Sequence, residues 1–290
     1  MPRQLLLPPD AGWTLDQVVA AGCFVQERLR EWGVRVPCEN RLERASRLVA
    51  EASIVPWADI PKRVQLQVAE AARTVIEQYL IVYAIDAPGD RLRERLRWLL
   101  TGGEYAAADA RTTPYDVQFE LFVGAALVYA GIRGVHLEEP DWRIPAGESE
   151  IALAAKRISS RKSLTKRVRK AIAQIRRYEL PGLILLNVDS LADRSRPDVA
   201  ATTVTEVLKE ARSLVATLRA EEVVFGLFAF AVSFEWFSVP LGGVLGTRLF
   251  THGEIIATDL REVPMIKAKL GLLRPNIISS IGHAMKAVPE

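Results

Sequence analysis

The segment that most constrains the fold covers residues 150–188, where two apolar runs flank an amphipathic helical pattern. The first run, EIALAAKRI, predicts a strand that enters a buried sheet, and the second, LILLNV, predicts a fully buried strand. Between them, apolar residues recur every three or four positions, which predicts a helix that begins after a Ser-Ser pair and ends at a Pro-Gly pair. A strand–helix–strand order of this kind favours an α/β fold.

The neighbouring segments extend this pattern in both directions. Thr113 as a cap and Pro114 at the first helical position predict a helix over residues 113–131. Short extended pieces are expected at 135–137 and 142–144, a further helix at 203–219, and strands within 223–234 and 243–250. Residues 111–290 are therefore expected to form an α/β domain with a mixed sheet flanked by helices.

The first 110 residues read as helices throughout. Helical patterns cover residues 15–33, where Thr14 precedes the helix and Gly33 ends it, and then residues 41–52, 60–85 and 90–100. We expect a separate N-terminal helical domain, residues 1–110, in which Cys23 and Cys38 are buried as small apolar side chains. Its role, whether in forming a homo-oligomer, binding a protein partner or recognising a target, stays open.

Composition excludes several classes of protein. With 49% hydrophobic and 25% charged residues, the chain has the balance of an ordinary folded protein rather than a disordered one. Two cysteines and three histidines are too few for a zinc ribbon, a zinc finger or an iron–sulfur site. The apolar stretch 223–246 is interrupted by Glu235 and Pro240, whereas a membrane helix needs about 20 apolar residues. We expect a cytoplasmic protein without a membrane partner.

The net charge of +3 hides a strongly basic segment at residues 156–178, which contains ten basic residues and no acidic one. Without it, the remaining 28 basic and 35 acidic residues give a net charge of −7. A concentrated positive segment on an otherwise acidic chain favours a polyanionic partner over a merely solvated helix face. We expect the partner to be nucleic acid, DNA rather than RNA.

Four features of residues 113–190 follow one another in an informative order. Glu120 lies in a predicted helix, Pro140-Asp141 in a strand region, Lys156 at the end of a strand and Gln174 in the basic helix. This order resembles the core of the PD-(D/E)xK nuclease superfamily, the restriction-endonuclease-like fold. In that family a helix carries an acid, a hairpin carries Pro-Asp, the next strand carries an acid and a lysine one residue apart, and a further helix covers the sheet.

The resemblance implies metal-dependent hydrolysis of phosphodiesters, with Mg²⁺ or Mn²⁺ as the cofactor. It implies that Asp141 is the main metal ligand, assisted by Glu120 and the backbone carbonyl of Ala155. It further implies that Lys156 orients the attacking water or neutralises charge in the transition state. The Gln174–Tyr178 spacing is similar to the QxxxY motif of the RecB-like branch, and places both residues on one helical face with Arg167 and Lys170.

The chain departs from the family pattern at residue 154, which is Ala where the family has Asp or Glu. Glu150 lies about 13 Å away along an extended strand, at roughly 3.3 Å per residue, while Glu148 and Asp189 lie in adjacent segments. Three interpretations stay open: an acid supplied from elsewhere, a degenerate enzyme that only binds nucleic acid, or an engineered inactive variant.

The sequence thus predicts a metal-dependent DNA nuclease that Ala154 could inactivate. The alternatives are a catalytically silent nucleic-acid-binding module and a scaffold whose basic helix meets an acidic protein. In either nucleic-acid-binding role, the backbone phosphates are expected to be held by residues in and around the basic helix: Arg157, Arg161, Lys162, Lys166, Arg167, Lys170 and Tyr178.

Overall fold

The computed structural model describes residues 13–104, 113–129, 141–146, 149–193, 196–238 and 243–255. It divides the chain into two compact units. One contains the described residues of Met1–Ala125 and Phe234–Thr247, and the other contains those of Ala126–Ser233 and Arg248–Gly282. The boundary predicted between residues 110 and 111 lies outside the described residues and stays a prediction.

The first unit is built mainly from helices. They are α1 (Leu15–Glu31), α2 (Arg41–Ser53), α3 (Lys62–Ala84), α4 (Asp90–Leu96) and the first part of α5 (Thr113–Tyr129), with 3-10 turns at Trp57–Asp59 and Arg97–Leu100. Helices α1, α2 and α3 pack against one another. A short strand, β1 (Trp13–Thr14), pairs antiparallel with the start of β6 (Gly243–Ile255).

The start of α1 illustrates how local sequence sets these boundaries. The Thr14 hydroxyl accepts a hydrogen bond from the Gln17 amide at 3.2 Å, and the Gln17 side chain accepts one from the Thr14 amide at 2.9 Å. This reciprocal capping box satisfies two amides that a helix leaves without partners. The predicted start after Thr14 is therefore confirmed.

Two expectations for this unit need correction. The helix predicted over 90–100 is α only to Leu96 and continues as a 3-10 turn, which places Leu96 and Leu99 three residues apart on one face, where both are fully buried. Cys23 and Cys38 are exposed rather than buried. Cys23 lies on the side of α1 opposite its buried positions, and Cys38 lies in the loop before α2.

The second unit contains the predicted mixed sheet. Its strands are β2 (Trp142–Ala146), β3 (Ser149–Arg157), β4 (Gly182–Asn187) and the larger part of β5 (Val224–Ser238), paired in that order. The β2–β3 hairpin is antiparallel, whereas β3, β4 and β5 are parallel to one another. Every residue of β4 is buried, as its continuous apolar run predicts.

Two helices, α6 (Arg161–Arg177) and α7 (Pro197–Thr217), join these parallel strands and contribute to one apolar core with them. The predicted stripe of α6 is its buried face: Leu164, Val168, Ala171, Ile172 and Ile175. Ala152 and Ala154 of β3 belong to the same core. Helix α7 begins earlier than expected, with a proline in its first turn, where the missing amide hydrogen costs nothing.

The apolar stretch 223–246 forms most of β5 and the beginning of β6. Among the helices of the described residues, none is both long enough and apolar enough to cross a bilayer.

Gly182 provides a test of the packing between α6 and the sheet. A Cβ at this position would lie 2.5 Å from Cδ1 of Ile175, so Gly182→Ala should lower the free energy of unfolding by about 1–3 kcal/mol through overpacking. Urea denaturation measures the change. In an Ile175→Ala background the added methyl has room, and the same substitution should cost much less; an equal cost in both backgrounds contradicts this explanation.

Candidate active site

Asp141 immediately precedes β2 and is buried. The register that pairs Trp142 with Leu153 brings Asp141 level with Ala154 on the adjacent strand. Its φ of 141° is one that residues with a side chain rarely adopt. Backbone strain of this kind is concentrated at functional sites in proteins, so the outlier itself marks this position for attention.

The Asp141 carboxylate joins three separate elements. Its Oδ2 accepts hydrogen bonds from the Ala155 amide at 2.9 Å and from the Lys156 ammonium, both on β3. Its Oδ1 accepts a longer bond of 3.4 Å from Gln174 Nε2 on α6. Lys156 Nζ also donates to the Ala155 carbonyl at 3.0 Å. The structure thus gathers residues that are 15 and 33 positions from Asp141 along the chain.

Lys156 and Asp141 form a buried ion pair, with 2% and 7% of their side chains exposed. Removing two charges from water is costly, and their mutual attraction offsets that cost only where further hydrogen bonds satisfy both groups. Here the Ala155 amide and carbonyl supply such bonds. The burial of Lys156 near the end of β3 is therefore explained by its ion pair with Asp141, which immediately precedes β2.

Gln174 contributes an oxygen to the same cluster. While its Nε2 donates to Asp141, its Oε1 is buried and has no hydrogen-bond partner in the described part of the chain. A buried acceptor without a partner calls for an explanation such as a water or an ion. The cluster thus contains three different kinds of oxygen group: the Asp141 carboxylate and the Ala155 carbonyl, which both accept from Lys156 Nζ, and the amide oxygen of Gln174, whose Nε2 contacts Asp141.

Such oxygen groups fit Mg²⁺, which binds one or two carboxylates and keeps waters or substrate phosphates as its remaining ligands. The charge is less favourable, because Lys156 already balances the one carboxylate present. The described residues contain no group of three or more His, Cys, Asp and Glu side chains placed to hold a metal. A divalent ion at this cluster would therefore rely on Asp141 for its only carboxylate among the residues described there.

Ala154 is fully buried, and its methyl group packs in the apolar core beneath α6. The acids considered as replacements are engaged elsewhere. Glu150 pairs with Arg143 at 3.0 Å, and Asp189 accepts bonds from the Asn187 side chain and the Val232 amide, both at 2.7 Å. Asp189 thereby links the end of β4 to β5. Glu148 lies outside the described residues, as do Pro140 and the 135–137 segment.

Glu120, the other predicted metal ligand, lies on α5 in the first unit, where it forms an ion pair with Arg95. Asp141 belongs to the second unit. The ligand role of Glu120 stays a prediction from the sequence.

The predicted phosphate-binding residues differ in their surroundings. Lys162, Lys166 and Lys170 are exposed on α6, whereas Arg167 is half-buried on the same side of the helix as Gln174. Arg157 donates to the Ser190 hydroxyl at 2.8 Å, and Tyr178 caps the C-terminus of α6. Arg161 is paired with Glu206 and Glu210 of α7. This pairing could not be predicted from the sequence, because the acids lie 45 and 49 residues further along the chain.

The comparisons with known proteins do not add to this description: no family model, no curated protein and no solved structure matches the chain.

The buried ion pair predicts an asymmetric response to substitution. Lys156→Met should lower the free energy of unfolding by about 3–5 kcal/mol, because it leaves the Asp141 charge buried without its counter-ion. Asp141→Asn combined with Lys156→Met should recover most of this loss, since the neutral amide can still accept from the Ala155 amide. Chemical denaturation compares the two variants.

Arg161→Met serves as the control, because it breaks two exposed ion pairs, each worth at most about 1 kcal/mol. If Lys156→Met is no more damaging than Arg161→Met, the Lys156–Asp141 pair does not have the energetic role described above.

Proposed function

We propose that this chain is a metal-dependent nuclease of the PD-(D/E)xK type, with a restriction-endonuclease-like core that acts on nucleic acid, DNA in the first instance. The observation that carries the proposal is the meeting of Asp141, Lys156 and Gln174 around one carboxylate. These are three of the residues that the resemblance assigned to the active site, and they come from a hairpin, the following strand and the next helix.

The order of elements supports the same proposal. A helix (α5), an antiparallel hairpin (β2–β3), a covering helix (α6) and a parallel strand (β4) follow one another, as the resemblance leads one to expect. Position 154, where the family carries its second acid, is level with Asp141 across the hairpin. The side chain of an acid at position 154 would therefore be attached to the backbone directly opposite Asp141.

In the proposed reaction, the residues of this chain bind, orient and balance charge. Asp141, the Ala155 carbonyl and the Gln174 amide oxygen would hold a divalent ion, which when bound lowers the pKa of a water and offsets charge on the phosphate. Lys156 holds an ammonium beside Asp141, where it can neutralise charge that develops on the phosphate oxygens. Burial of this cluster strengthens each of these electrostatic interactions.

The second candidate is a module that binds nucleic acid without cutting it. It is favoured by a specific observation: with Ala at position 154, the Asp141–Lys156 pair has no net charge and so attracts a cation weakly. In this case the fold and the basic helix would be retained for binding, and the cluster would have a structural role.

Ala154→Glu separates the candidates, with Ala154→Gln as a matched control of the same size without the charge. The acid should strengthen binding of Mg²⁺ or Mn²⁺ and raise cleavage of single-stranded or duplex DNA by at least about 100-fold, the scale of one transition-state charge interaction. The glutamine variant should do neither. Lys156→Ala added to the acid variant should abolish the gain.

Nuclease assays are paired with two further measurements: circular dichroism, to verify folding, and the metal-dependent shift of Tm, which reports binding without activity. Because residue 154 is buried, Ala154→Asp provides a smaller acid for the case in which the glutamate variant does not fold. Cleavage by the unmodified chain supports the first candidate, and DNA binding with cleavage only in the acid variants supports the second. If the folded acid variants neither bind metal more tightly nor cleave DNA, the proposed active site is wrong.

A further inference from the structure

Six of the eight basic residues of α6, all except Arg167 and Arg177, fall into two sets with different surroundings. The first set lies on the side of the helix opposite its buried stripe: Lys162, Lys166, Arg169 and Lys170. All four are exposed, and within the described part of the chain none of them forms an ion pair. We refer to these four residues as the outer face of α6.

The second set lies on the flank of α6 and is already compensated by acids. Arg161 pairs with Glu206 and Glu210 of α7. Arg176 pairs with Glu222 at 3.3 Å and donates to the backbone carbonyls of residues 218 and 219. These contacts connect α6 to α7 and to the turn before β5, so the flank cations stabilise the fold. Because acids partly compensate their charges, they attract an anionic partner less strongly.

We propose that the outer face of α6 binds the sugar-phosphate backbone of one nucleic-acid strand, laid along the helix axis. This inference rests on the proposed nucleic-acid function and adds the surface that makes the contact. It assigns a phosphate-binding role to Arg169 and removes Arg161 from the residues expected to contact phosphates.

The dimensions suit this partner. From Lys162 to Lys170 the helix advances about 12 Å, at 1.5 Å per residue, and phosphates of one duplex strand follow each other at about 3.4 Å along the axis. Four cations thus lie along a length that presents about four phosphates. Glu206 and Glu210 of α7 lie beside the flank of α6, and their negative charges disfavour contact of the polyanion with that flank.

The composition of the outer face favours a polyanion over a folded protein. Protein interfaces depend on a few large aromatic or aliphatic anchors that fill pockets. The one apolar side chain exposed among these cations is Ala173, because the larger apolar residues of α6 are buried in the core. The outer face therefore offers charge without apolar anchors, which is the pattern of binding through phosphate contacts and released counterions.

The test compares two double variants that remove the same charge from the same helix. Lys166→Gln with Lys170→Gln changes the outer face, and Arg161→Gln with Arg176→Gln changes the flank. Fluorescence anisotropy with a labelled duplex, over a range of salt concentrations, gives the dependence of log K on log salt concentration. The slope reports the number of neutralised phosphates, at about −0.9 for each duplex phosphate.

The four outer-face contacts alone should give the unmodified chain a slope of about −3.6 on duplex DNA, and each further phosphate contact should make the slope steeper by about 0.9. The outer-face variant should lose about 1.8 of this slope and bind at least about tenfold more weakly at 0.1 M salt. The flank variant should keep the slope, and the loss of its ion pairs should lower its Tm. Folding of both variants is verified by circular dichroism.

The outcomes distinguish this inference from the proposed function. If DNA binding is present but both variants weaken it equally, or neither does, the inference is overturned while nucleic-acid binding stands. If the unmodified chain does not bind DNA or RNA even at low salt, the proposed function itself fails. If polyglutamate binds to the outer face as tightly as DNA does, an acidic protein replaces nucleic acid as the partner and the inference is again overturned.

Discussion

The ion pair between Lys156 and Asp141 is the interaction on which the structure of the site depends. It connects the end of β3 to the start of β2, and through Gln174 it connects both to α6. Neither charge has much contact with water, so each requires the other in order to be buried. This mutual requirement explains why a positive side chain can be buried on the same strand as Ala152 and Ala154, which belong to the apolar core.

The Lys156–Asp141 pair also determines how an alanine at position 154 affects the net charge of the cluster. In a site with two carboxylates, a lysine would leave an excess negative charge to attract a divalent ion. With one carboxylate the charges cancel, and the methyl group of Ala154 adds to the packing against α6. An alanine at position 154 thus favours the apolar core and leaves the Asp141–Lys156 pair without an excess negative charge that would attract a metal.

Helix α6 serves the fold and the proposed function with different sides. Its apolar stripe packs on the sheet, and one flank places Gln174 beside Asp141. The opposite flank pairs with acids of α7 and of the turn before β5. The outer face carries four exposed cations. The helical period separates these roles, because residues three and four positions apart lie on the same side of the helix. A count of the charges along the sequence does not distinguish the exposed cations of the outer face from the flank cations that are paired with acids.

Local rules of sequence were enough to predict the α/β class, helices α1, α2, α3 and α6, strands β3 and β4 and the buried stripe of α6, because caps, turn residues and apolar periodicity act over a few positions. They missed strand β1, the 3-10 turn after Leu96 and the early start of α7. The resemblance also selected Asp141, Lys156 and Gln174, which the fold does bring together. Only the tertiary structure decided that Lys156 is paired with Asp141, that Arg161 of α6 pairs with Glu206 and Glu210 of α7, and that Glu150 and Asp189 are engaged elsewhere. Those outcomes depend on which charges meet across strands and helices distant in sequence, and chain order does not fix such distances.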